Sequence, residues 1–94
     1  MSSREEYIEK MKRQLDAWNR DIDTLEGRIA TVTGPAREEL RTRLEKTRES
    51  FEAGKVKLKE MQSSGEASWK SLKDEAEHIW DTLRRSFNYF RSQL

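Results

Sequence analysis

The 94-residue chain has no cysteine, one proline, four glycines and one histidine. Without cysteine there is no disulfide framework and no thiol chemistry. So little proline and glycine leaves few places to break a helix. Apolar residues of the AVILMFWYC set make up only 33%, against 39% charged, so a compact globule with a thick core is not expected. No apolar run approaches the roughly 20 residues of a membrane span. The polar, acidic opening MSSREEYIEK lacks the charged and apolar regions of a secretory signal. A cytoplasmic protein is the default expectation.

Charge of one sign is also missing. Net charge is +1, and residues 1–33, 36–62 and 63–94 carry −1, +2 and 0 in turn. No segment is a basic arm, which removes the electrostatic case for nucleic acid. Yet three Trp, three Phe and two Tyr are present. Disordered chains of this polarity are poor in aromatics, so an elongated helical protein is the better expectation.

The apolar residues follow that form. Ile8, Met11, Leu15, Trp18, Ile22, Leu25, Ile29 and Val32 step by 3 and 4 in alternation, a heptad seam. This predicts a first helix over about 4–33, with Ser2 or Ser3 as a cap and Glu5 and Glu6 at the positive end of the dipole. Gly34-Pro35 then reads as a helix stop followed by a helix start. Arg37, Leu40, Leu44, Thr47, Phe51, Gly54, Leu58 and Met61 repeat the same steps and predict a second helix over about 35–62. Paired antiparallel about the turn, the two seams align in eight layers without a slip, Trp18 on Phe51 and Leu15 on Gly54 among them. In that register Gly54 makes room one turn from the bulky Trp18/Phe51 layer.

The last third of the chain, with a helix expected over about 64–93, carries another kind of face. Trp69, Leu72, Ala76, Ile79, Trp80, Leu83, Phe87, Phe90 and Leu94 fall in an arc of roughly 100° on a helix. The stretch QSSGEASW before them admits two readings. Ser63 with Glu66 fits a capping box and a restart, which folds the third segment back as a three-helix bundle. The steps of 4, 4 and 3 from Met61 to Leu72 form a stutter, which suits one long helix with a dimerising arm. Lys12, Asn19, Glu26, Arg41, Arg43, Arg48, Lys55 and Lys57 flank the hairpin seam. A third helix would have to cover several of them, which tilts the expectation towards the arm and a homodimer. The fold class is all-α in both cases: an antiparallel coiled-coil hairpin with a C-terminal amphipathic helix, in a single domain.

The pattern points to no chemistry. His78 has Asp74 and Asp81 at helical spacing, but a stable metal site usually takes more nitrogen or sulfur ligands. No phosphate loop is present, and a thin hairpin offers no concave site for catalysis. The expectation is a protein without enzyme activity, metal or cofactor. Its partner face would be Trp69, Leu72, Ile79, Trp80, Leu83, Phe87 and Phe90, used for self-association or for another helical protein. A second reading lays residues 66–94 in a membrane interface as an amphipathic helix, although a polar face not enriched in Lys and Arg would draw little from anionic lipid.

The stretches REEYIEKMKRQLDAWNRDIDTLE and SGEASWKSLKDEAEHIWDTLRRSF resemble a group of small bacterial coiled-coil proteins. These are mostly uncharacterised, and some are labelled stress-response-like. The resemblance spans nearly the whole chain. It implies a bacterial, non-enzymatic helical protein and supplies no catalytic or binding residues.

Overall fold

The computed structural model describes residues 3–94; Ser2, one of the two expected cap residues, lies outside them. Three helices account for almost all of this stretch: α1 (Ser3–Ile29), α2 (Pro35–Ser63) and α3 (Glu66–Gln93). They pack side by side in a rod of 50 × 20 × 18 Å.

α1 ends at Ile29, about one turn earlier than its apolar seam suggests. The amides of Thr31 and Val32 bond the carbonyls of Arg28 and Ile29 at 3.1 and 3.0 Å, and the Thr31 hydroxyl donates to the Arg28 carbonyl at 2.7 Å. These i−3 bonds tighten the last turn and close off the helix. The run Thr31-Val32-Thr33 is also β-branched and stiff at χ1. Val32 therefore leaves the helical seam, half-buried, and Arg37 is exposed. Gly34 takes φ 78 and ψ −165, a combination essentially confined to glycine that costs a residue with a Cβ about 1–3 kcal/mol, and Pro35 follows as the first residue of α2.

The hairpin seam is buried from Met11 to Ile29 on α1 and from Leu40 to Met61 on α2. Ile8 is only half-buried at the open end. A Cβ placed on Gly54 would lie 3.5 Å from Leu15 Cδ2, which puts these two residues in one layer.

α3 is not an arm. It folds back along the hairpin, antiparallel to α2 and parallel to α1. Lys57 meets Glu75 near one end of the α2–α3 contact and Arg43 meets Tyr89 near the other, and the two pairs share one position sum. The flanking charges do not oppose this packing, because most lie on the other side of the hairpin. Lys12, Asn19 and Lys55 line one groove between α1 and α2, and Glu26, Arg41 and Arg48 line another. Both grooves face away from α3. Only Arg43 and Lys57 lie under α3, one stacked on a ring and the other in an ion pair.

The break itself differs from a capping box. Ser64 and Gly65 are both extended (φ −79, ψ 153 and φ −86, ψ 176). Gly65 is the N-cap of α3 and makes no side-chain cap bond. The Ser63 hydroxyl instead donates backwards to the carbonyls of Lys59 and Glu60 at 3.2 and 3.3 Å, closing α2 rather than opening α3.

Candidate functional site

The α3 stripe sits on the hairpin through rings that meet Tyr7 and Trp18 of α1 and Gly54 of α2. Trp18 of α1 stacks on Phe87 with centroids 5.7 Å apart and planes at 11°. It also meets Trp80 at 5.9 Å with a 53° tilt. Such offset and tilted pairs add about 0.5–1.5 kcal/mol beyond area burial. The gap at Gly54 belongs to Trp80: a Cβ there would approach Cζ3 to 3.2 Å and Cη2 to 3.4 Å. The glycine therefore admits a ring from α3, and the Trp18/Phe51 layer is not its main cause. Rings also hold α1 away from α3, whose backbones approach less closely than those of the other two helix pairs.

Burial along the stripe is uneven. Trp80, Leu83, Phe87 and Phe90 are 0–4% exposed, and Ala76 is fully covered. Trp69, Leu72 and Ile79 are half-buried. They belong to the first half of α3, and Tyr7 meets Trp69 there edge-on, at 5.7 Å and 82°. The Tyr7 hydroxyl lies 3.5 Å from Glu77 Oε1. Its pKa is pushed up to about 12, first by desolvation and then by the Glu77 carboxylate.

One residue that heptad reasoning passes over organises this end. Arg4 donates from Nη2 to the Met61 carbonyl at 3.3 Å, to the Ser64 carbonyl, and to Ser64 Oγ at 3.0 Å. Its Nη1 is 3.9 Å from Glu66, and its guanidinium carbon lies 4.7 Å above the Trp69 ring. The cation thus meets the negative end of α2, the acid opening α3 and the first aromatic of the stripe. Nothing in a seam pattern marks position 4. The available signal was a lone arginine among acids one turn before Tyr7.

Along the flanks, Lys57 Nζ donates to Glu75 at 2.7 Å, and this bond raises the Lys57 pKa. Arg43 lies 4.0 Å over the Tyr89 ring, and Arg28 donates to the Leu94 carbonyl at 2.8 Å. The Trp80 Nε1–H is buried and has no acceptor among the described residues; the ring borders a shallow α1–α3 groove lined by Lys10, Gln14 and Arg84. His78 is exposed. Asp81 pairs with Arg84 at 3.9 Å and with Arg85. Among the described residues no three His, Cys, Asp or Glu side chains form a metal-holding group, and no helix is long and apolar enough to cross a membrane.

Compared with known proteins, the chain matches no family model, no curated protein and no solved structure.

Proposed function

We propose that the protein is a non-enzymatic helical interaction module. Its recognition element is the α3 stripe, and the surface the stripe fits is the groove of an α1–α2 hairpin. Recognition is of the helix-in-groove kind, with anchors at i, i+3, i+4 and i+7. The partner is a second copy or another helical protein.

One observation carries this reading. The groove of the α1–α2 hairpin buries the stripe at Trp80, Leu83, Phe87 and Phe90, and Trp69, Leu72 and Ile79 pack on the same core with partial exposure. A hairpin groove that takes up an amphipathic helix of its own chain presents the same surface to that helix from a second chain.

Sedimentation velocity over a dilution series tests the proposal. The expected result is concentration-dependent mass above the monomer, with helicity unchanged across the series. A wild-type chain that stays monomeric up to millimolar concentration overturns self-association. A tryptophan blue shift with phosphatidylglycerol vesicles, in a chain that does not self-associate, would put the interfacial-helix reading in its place.

A further inference from the structure

The α2–α3 break preserves helical phase. Counted at about 100° per residue from Met61, the buried residues of α2 (Leu40, Leu44, Thr47, Phe51, Gly54, Leu58) and of α3 (Ala76, Trp80, Leu83, Phe87, Phe90) fall in one arc roughly 100° wide. Gly65 and Trp69 fall in the same arc. A two-residue extended link has no need to keep this phase in a simple hairpin, since each helix could rotate freely to face its neighbour. A continuous helix through the link does need it.

The link is built to allow that continuity. Neither Ser64 nor Gly65 has a positive φ, and a Cβ at Gly65 would meet nothing within 4 Å. Straightening the link abolishes one helix C-terminus and one N-terminus, so the last carbonyls of α2 pair with the first amides of α3. The α2–α3 register also sets its own symmetry. The pairs Lys57/Glu75 and Arg43/Tyr89 are centred on position 66. Two straightened chains set antiparallel in that register have their two-fold axis at the link, where Ser63, Ser64, Gly65 and Ala67 let the backbones pass closely.

We infer that the chain exchanges α3 with a second copy of itself. Each α2–link–α3 becomes one continuous helix, and each α3 fills the groove of the partner's hairpin with the contacts it makes in the closed chain. This rests on the interaction-module reading and names its partner. Exchange keeps the core contacts and gives up the Arg4 bonds to the Met61 and Ser64 carbonyls, which the continuous helix satisfies with its own amides. The closed form wins at low concentration because its α3 is tethered, and mass action favours the dimer as concentration rises.

Two link substitutions and one distance decide the matter. The chain lacks cysteine, so Arg41→Cys and Arg91→Cys, both exposed, accept a donor–acceptor pair cleanly. In the closed chain these positions lie at the same level of the rod on neighbouring helices, as the shared position sum of Lys57/Glu75 and Arg43/Tyr89 requires. In a straightened helix they stand about 75 Å apart. Trace labelled chain is refolded with excess unlabelled protein, and mass and energy transfer are read together. The expected result is a dimer with transfer largely lost. Ser64→Ala with Gly65→Ala should raise the dimer association constant about tenfold or more, since both raise helix propensity in each of two chains. Gly65→Pro suits the present extended link but cannot sit inside a helix, and it should give monomer only, with unchanged helicity. A dimer that keeps full transfer overturns the exchange and leaves self-association standing. Monomer in both the wild type and the alanine variant overturns both.

Discussion

At the scale of single residues, glycine and tyrosine make the sharpest claims. Gly27 lies inside α1, and a Cβ added there would meet nothing within 4 Å. Gly27→Ala should therefore raise stability by about 0.5–1 kcal/mol through propensity alone. Gly54 has the opposite surroundings, where a Cβ would stand 3.2 Å from the Trp80 ring. Gly54→Val drives a branched side chain into that ring and should cost about 1–3 kcal/mol by overpacking. Urea midpoints at constant slope would separate the two. Tyr7 contributes a pH dependence. Its folded pKa is pushed up to about 12 from an ordinary value of 10.0, so above pH 10 the unfolded chain releases this proton while the folded chain holds it. Stability must then fall as pH rises from about 10 to about 12. The raised pKa of Lys57 acts in the same direction, because its pairing is lost once the amine deprotonates. Tyr7→Phe should flatten the decline of melting temperature in that window without abolishing it.

At the scale of elements, the α2–α3 junction depends on a side chain from α1. Arg4 binds the Met61 and Ser64 carbonyls and stacks on Trp69, so Arg4→Ala leaves the end of α2 without its cation. The expected loss is about 1–3 kcal/mol. It should come with faster amide exchange over residues 64–70 and a red-shifted Trp69 contribution to fluorescence. Arg4→Lys should recover little, since one ammonium cannot reproduce a planar fork over a ring. The heptad steps made the hairpin legible in the sequence: Met11 to Ile29 against Leu40 to Met61 is a periodic signal, and Gly34-Pro35 is strong turn chemistry. The direction of α3 was not legible, because Lys12, Asn19, Glu26, Arg41, Arg48 and Lys55 argue against a third helix in the sequence although they line the two grooves away from it. The informative stripe was the other one. Thr47, Ser50, Gly54 and Lys57 are small or long-stemmed at steps of 3, 4 and 3, and all four are buried or half-buried. Small side chains there seat large ones from α3, as Gly54 seats Trp80. Arg4 was invisible to periodicity because its partners are backbone carbonyls far along the chain, at Met61 and Ser64.

At the scale of the whole molecule, shape follows from how an aromatic face is covered. A chain with 33% apolar residues cannot surround a thick core, and it makes a thin rod whose three helices share one seam of rings. In the closed form the rod is 50 Å long, with a Cα radius of gyration of 15.2 Å. The exchanged form keeps the same seam and redistributes it over two chains. A helix from Pro35 through Gln93 would run about 90 Å at ~1.5 Å per residue, and each α1 would lie beside its own α2 at one end of the pair. The dimer should therefore be nearly twice as long as the monomer at almost unchanged cross-section. Two closed rods joined side by side would instead thicken while keeping their length. Small-angle scattering on separated monomer and dimer fractions distinguishes these shapes: a cross-sectional radius constant between fractions, with maximum dimension rising to about 90–100 Å, is the expected result. A dimer no longer than the monomer places the association on an outer surface, with α3 still folded on its own hairpin.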